Sequence, residues 1–147
     1  MKATHGHIPW SNVDRRLRSM REIWIATASP RGRPDAVPVW FWWDGDVAYF
    51  TCKTGTVKPR NIAHEPNVVL HNGDGTDPII LKGRAERVDD QAERERVEAA
   101  YREKYVDPAS GTPAPLTDED DVYRVTPRRI SAWSYATAAT KTDWEPE

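Results

Sequence analysis

Lys53, Thr54, Thr56, Lys58 and Arg60 fall within one short stretch, "TCKTGTVKPRN" (Thr51 to Asn61), with Gly55 at its centre. Hydroxyl donors, cations and a glycine that lets the backbone approach closely are the parts of an anion site, and phosphate is the guest they suit best. A helix predicted to begin inside the stretch adds first-turn N–H groups and the positive end of its dipole. The same residues also describe a solvated surface turn, so the stretch alone leaves both readings open. Its position bears on the choice. It follows "DAVPVWFWW", a predicted strand with Val37, Val39, Phe41 and Trp43 on one face and Ala36, Pro38, Trp40 and Trp42 on the other. A strand apolar on both faces needs cover outside the barrel or sandwich it belongs to. The chain's own N-terminal helix, a second protomer or a flat aromatic ligand could supply it. A ring against the strand with its phosphate on the turn would satisfy both features.

Other side chains with chemical potential are weaker signals. Cys52 lies beside Lys53, yet a cysteine late in a strand behaves as a small buried hydrophobe unless a base is positioned on it. His5 and His7 lack the further ligands that zinc requires, so no metal site is expected. His64, near a predicted helix end, and His71, at a strand end, make haem a weaker option, since lone histidines there are usually structural or solvated. Tyr49, Tyr135 and His71 are candidate proton donors, and none is singled out as catalytic.

The elements that must position these groups are mostly strands. A polar arm (residues 1–16) leads into a short amphipathic helix at "SNVDRRLRSM", with Ser11 or Asn12 as its N-cap. Strands follow at "EIWIATA", "DAVPVWFWW" and "VAYFTC", with turns at "SPRGRP" and "DGD". "KPRNIAHEP" reads as a short helix that tolerates Pro59 in its first turn. "NVVLHN" and "PIILKGRAERV" are further strands, the second with a bulge or bend at Gly83. "DDQAERERVEAAYREKY" is the long helix, opened by Asp89 or Asp90, with Val97, Tyr101 and Tyr105 on one stripe and a solvated face carrying pairs such as Glu98 with Arg102. "VDPASGTPAPLTDED" is a Pro-rich loop, "DVYRVTP" and "RRISAWSY" form a hairpin-like pair, and the tail (residues 136–147) carries little pattern.

About six short strands with one long helix predict a mainly β, antiparallel barrel or sandwich in a single domain spanning 1–147. With 21 Lys and Arg against 23 Asp and Glu, there is no global basic field, so no nucleic-acid partner is expected and any bound anion must be held locally. No run approaches a membrane span, and the start lacks the apolar centre of a secretory signal. The single cysteine suits a reducing compartment, so the expected location is cytoplasmic.

"LREIWIATASPRGRPDAVPVWFWWDGDVAYFTCKTGTVKPRNIAHEPNVVL", followed by "PIILKGRAERVDD" and more loosely "YRVTPRRISAW", resembles the split β-barrel flavin and deazaflavin oxidoreductases related to pyridoxamine 5′-phosphate oxidase, and most the branch that uses the deazaflavin F420. The resemblance implies a six-stranded antiparallel split barrel with an FMN-binding-type fold and short flanking helices. It also implies a homodimer with two cofactor sites at the subunit interface. Pro38, Val39 and Trp40 are implied as ring contacts. Thr51, Lys53, Thr56, Val57, Lys58, Arg60 and Asn61 are implied as the phosphate and tail cradle. Pro78, Ile79, Ile80 and Trp133 would come from the other protomer. Lys53, Lys58 and Arg60, with Arg31 and Arg33, suit the acidic tail of F420; FMN needs fewer charges and is the alternative. The implied activity is hydride transfer between reduced F420 and a small organic substrate, with a proton from solvent or a nearby acid. The alternatives are an FMN-binding oxidase or reductase and a non-enzymatic carrier of a flavin or hydrophobic ligand.

Overall fold

The computed structural model describes residues 1–113 and 120–147, so part of the Pro-rich loop, 114–119, lies outside the described residues. Along the chain run β1 (Lys2–His5), α1 (Trp10–Ser19), β2 (Glu22–Ala28), β3 (Pro34–Trp43), β4 (Ala48–Lys53), α2 (Val57–His64), β5 (Asn67–His71), β6 (Ile79–Arg87), α3 (Gln91–Lys104), β7 (Asp120–Ser134) and β8 (Ala139–Glu145). Six antiparallel strands close a barrel in the order β7, β4, β3, β2, β5, β6 and back to β7. The expected split-barrel architecture is therefore present, with β8 added outside β7 and β1 outside β8. None of the described helices is long and apolar enough to cross a membrane.

Alternation builds the interior. Ile23 and Ile25, Phe41 and Trp43, and Leu81 and Ile130 all point inward and are essentially inaccessible. Helix α1 seals this core with Val13 and Leu17, one turn apart and both fully buried. The helix starts earlier than its sequence signals suggest. Its N-cap is Pro9, without a side-chain cap bond, and Ser11 and Asn12 lie within the first turn. Trp10 explains the shift, because its ring packs against Trp43 (centroids 6.3 Å) and Trp144 (5.6 Å) and draws the helix start onto the core.

Both ends of the chain depart from expectation. The polar arm is not free, since Lys2–His5 pairs with β8. The tail is not patternless either, since Thr142 and Trp144 are buried and β8 pairs with β7. "DVYRVTPRRISAWS" lies within one long strand, β7, and does not form a hairpin-like pair; Tyr135 begins the turn that follows. Pro127 does not break it because it faces Gly83 next to the register shift at Lys82/Gly83, where the ladder is already irregular and a missing N–H is tolerated. Gly83 is required at this bulge: a Cβ there would stand 2.5 Å from the Thr126 carbonyl oxygen.

Helix α3 opens on Asp90, whose carboxylate accepts from Glu93 N–H at 2.8 Å, and buries the expected stripe Val97, Tyr101 and Tyr105. On its solvated side Glu98 pairs with Arg94 at 3.3 Å rather than with Arg102. It lies on the outer face of β3 and β4. Tyr101 donates to the Trp40 carbonyl at 2.9 Å, while the Tyr105 hydroxyl accepts from Phe41 N–H at 2.9 Å.

The last turn of α3 carries a stability signature. The Lys104 ammonium donates to the Phe41 carbonyl at 2.8 Å and lies 4.3 Å from the centroid of the Phe41 ring. Burial, reinforced by the Arg21 charge, lowers its pKa to about 8. Burial pushes the phenols of Tyr49, Tyr105 and Tyr123 up to about 12. From pH 8 upward the unfolded chain keeps a proton on Lys104 that the folded chain has released, so stability rises with pH. Above about pH 9 the unfolded Cys52 thiol ionises while the folded one, pushed up to about 11 by burial, does not, which offsets the rise. Above about pH 10 the unfolded tyrosines ionise while the folded ones do not, and stability falls. Thermal unfolding followed against pH is expected to show a maximum between these limits, and Lys104→Met is expected to remove the rise while leaving the alkaline fall.

Candidate functional site

The basic stretch is a tight turn between β4 and α2. Gly55 takes a left-handed conformation (φ 83°), and an added Cβ would meet nothing within 4 Å, so the backbone there is open to approach. The Thr56 hydroxyl donates to the Lys53 carbonyl at 2.8 Å and leaves the first turn of α2 without a side-chain cap. Pro59 sits in that first turn, as expected.

Two acids absent from the sequence reading sit beside this turn. The start of β7 pairs Lys53 with Asp120 and Cys52 with Asp121. Lys53 Nζ lies 3.8 Å from an Asp120 carboxylate oxygen, and the Thr54 hydroxyl lies 3.3 Å from Asp121 Oδ2. Lys58, half-buried, and Arg60, exposed, have no ion-pair partner among the described residues. The uncompensated positive charge of the turn therefore resides on these two. Asn61, which the resemblance implies in the cradle, is 4% exposed and donates to the Thr27 hydroxyl at 3.0 Å, so its side chain fixes α2 to β2. Cys52 is buried, and burial pushes its thiol up to about 11 against the opposing Lys58 charge, which makes it a packing residue.

On β3 the outward residues are Pro38 and Trp40, whereas Val39 is buried in the core and offers a ligand only its backbone. The outer face of this strand is covered by α3, and not by the N-terminal helix, one of the three candidates from the sequence. Tyr105 stacks on Trp40 with centroids 4.4 Å apart and planes 2° from parallel, and the Arg21 guanidinium carbon is 5.8 Å from the Trp40 centroid. Trp42 stacks on Tyr49 at 5.4 Å beneath Arg96. This cover is incomplete, since Trp40 stays 42% exposed. Beyond it an apolar strip continues across the barrel wall, because Pro38 pairs with Trp24, Trp24 with His71 and His71 with Ile80. On this strip the Trp24 indole lies parallel to the His71 imidazole, with ring centroids 6.3 Å apart. His71 Nδ1 lies 2.8 Å from the Asn72 carbonyl, and His64 is exposed at the end of α2.

The remaining expected residues form a second group. Pro78 and Ile79 are buried, Ile80 faces outward, and Trp133 N–H donates to the Pro78 carbonyl at 3.4 Å. Ile80 and Pro38 stand three strand spacings apart, about 14 Å. The chain thus gathers Pro38, Trp40, Thr51, Lys53, Thr56, Val57, Lys58 and Arg60 on one side and Pro78 to Ile80 with Trp133 on another, and does not join the two groups. Arg31 and Arg33 lie at the β2–β3 hairpin, Arg33 five residues or about 17 Å along the strand from Pro38. Among the described residues no cluster of three or more His, Cys, Asp or Glu is placed to hold a metal.

Residues 11–134 match the family described as pyridoxamine 5′-phosphate oxidase. Among solved structures, the conserved hypothetical protein Rv2991 from Mycobacterium tuberculosis superposes with a TM-score of 0.72 at 22% identity, covering 90% of this chain and 88% of that one. An F420 reductase gives a TM-score of 0.59 at 26% identity over 79% of this chain and 94% of that one. A heme binding protein from Mycobacterium smegmatis gives 0.71 at 18% identity over 95% of this chain and 59% of that one. A search of curated proteins returns no match.

Proposed function

Because the chain belongs to the pyridoxamine 5′-phosphate oxidase family, a family of mostly oxidoreductases on a flavin-binding split barrel, we propose that it is an F420-dependent reductase acting on a small organic substrate as a homodimer. The observation that carries this reading is the pair of uncompensated cations, Lys58 and Arg60, at an open turn beside the exposed wall of Pro38 and Trp40. The donor set fits a phosphate-bearing ring: Gly55 admits the backbone's approach, the uncapped start of α2 offers N–H groups, and the two cations supply charge-assisted bonds. Similarity to an F420 reductase supports the deazaflavin over other rings.

When bound, the reduced cofactor supplies the hydride; the protein supplies orientation, exclusion of water and charge placement. Lys58 and Arg60 anchor the phosphate end. Trp40, held by Tyr105, sets the plane against which the ring lies. Ile80 and Trp133 of a second copy, positioned by the buried Pro78 and Ile79, close the site, which accounts for their distance from Pro38 within one chain and for the uncovered strip around Trp24. The proton comes from solvent. The cytoplasm is the compartment proposed with this reading.

FMN is the second reading, and one observation favours it. Asp120 and Asp121 engage Lys53 and Thr54, which reduces the charge surplus that an acidic cofactor tail would use. Titration of tryptophan fluorescence with F420 and, separately, with FMN at two salt concentrations decides between them. Saturable quenching by F420 that weakens with salt, followed by reduction of an acceptor, is the expected result. Preference for FMN transfers the activity to that cofactor. Tight binding without reduction of any acceptor makes the protein a carrier, and silence from both cofactors overturns the reading.

A further inference from the structure

A cavity of about 620 Å³ lies between the start of α1, the β7–β8 hairpin and the turn before β6. Its volume suits a small organic molecule. Trp133 forms a flat wall, and Ile8 and Ala139 add apolar surface. His7, Ser134, Thr137 and Thr140 contribute to the polar part of the lining, and its charged and amide groups are Asn12 and Arg16, one turn apart on the same face of α1, and Asp77 from the turn.

How these three are bonded is informative. A guanidinium and a carboxylate lining one cavity ordinarily pair with each other, yet no Arg16–Asp77 ion pair forms. Arg16 Nη2 instead donates to the Asp77 backbone carbonyl at 2.5 Å, and Asn72 Nδ2 donates to the same oxygen at 2.9 Å. Among the described residues the Asp77 carboxylate and the Asn12 carboxamide accept or donate no side-chain bond, and Arg16 has further N–H groups to offer. The cavity therefore presents a fixed cation, a free acceptor and an amide around one aromatic wall. A ligand that satisfies all of them has an acidic group for Arg16, an N–H or O–H donor for Asp77, and a planar body for Trp133.

We propose that this cavity is the substrate pocket and that it takes a small planar organic acid bearing an amino or hydroxyl donor. The assignment rests on the dimeric reading above, in which Ile80 and Trp133 close the partner's ring site, Trp133 lining this cavity with Asp77. The carboxylate of Asp77 also sets specificity, since an acid without a donor leaves it facing the ligand's own negative charge. A neutral amine satisfies Asp77 and leaves Arg16 unused.

The test uses the purified full chain with three probes, 3-aminobenzoate, benzoate and aniline, followed by ligand-observed NMR, alongside the F420 and FMN titrations on the same samples. 3-Aminobenzoate is expected to bind saturably and more tightly than either comparison probe. Arg16→Gln is expected to weaken it about tenfold or more, as loss of a charge-assisted bond does, whereas Arg16→Lys retains most of the binding and controls for the fold. Asp77→Asn is expected to erase the preference over benzoate, and Ala139→Trp to block all three probes with cofactor affinity unchanged. Absence of saturable 3-aminobenzoate binding, or binding equal in the parent, Arg16→Gln and Ala139→Trp, overturns the proposal while intact cofactor binding leaves the reductase reading in place. Arg16-dependent binding of the acid in a protein that ignores both cofactors has the opposite meaning, supporting the pocket and removing the reading beneath it.

Discussion

Replacing Trp144 by alanine is expected to lower the free energy of unfolding by about 4 kcal/mol, in the range for deleting a large buried aromatic. The residue is 1% exposed, and its ring packs on Trp10 at 5.6 Å. Its backbone lies between two neighbours, pairing with Ile130 of β7 and Ala3 of β1. Truncation leaves a cavity under α1 and loosens the strand that holds β1. The comparison is Tyr135→Ala, which removes a ring that is 72% exposed and is expected to change stability by no more than about 0.5 kcal/mol. Urea unfolding of both variants checks the pair. Equal and small losses would mean that β8 is a loosely held tail and not a wall of the core.

The second large effect concerns binding. Lys58→Ala combined with Arg60→Ala is expected to weaken cofactor affinity about 100-fold and to flatten its salt dependence, since two charge-assisted contacts at about 1.5 kcal/mol each are lost. Stability should hardly change, because neither cation has an ion-pair partner among the described residues and no acid is left behind. Lys53→Ala makes the contrast, as it strips a partner from Asp120. Fluorescence titration and urea unfolding of the same samples separate the two effects. Undiminished affinity in the double variant would remove the turn from the cofactor site.

Much of the barrel was legible in the sequence because period-2 alternation and turn chemistry are local signals. β2 to β6, the bulge at Gly83 and the stripe of α3 were all read from neighbours in sequence. What was not legible depends on register between distant strands. Asp120 and Asp121 reach the basic turn only because β7 pairs with β4, and no local pattern announces that. Val39 and Asn61 show the same limit from inside the site. The resemblance implies both at a ligand, while packing puts the Val39 side chain in the core and bonds Asn61 to Thr27. The cover of β3 was misjudged for a related reason: Tyr105 was correctly placed on an apolar stripe, but a stripe does not say which sheet face it will meet. β8 was missed since its interior residues, Thr142 and Trp144, are too few and too mixed to register as alternation.

β7 belongs both to the barrel and to the outer pair, and this has a kinetic consequence. It closes against β4 at one end, runs along β6 and carries β8 at the other, yet it enters the chain only after α3. Until it docks, β4 and β6 present open edges, and the first strand has no partner because β8 is still unformed. Pairings across such sequence distances place folding in the millisecond-to-second range typical of non-local β topologies. Through that interval the unpaired edges can capture another chain as readily as their own β7. Dilution during refolding therefore matters more to the yield of native protein than the depth of its final stability.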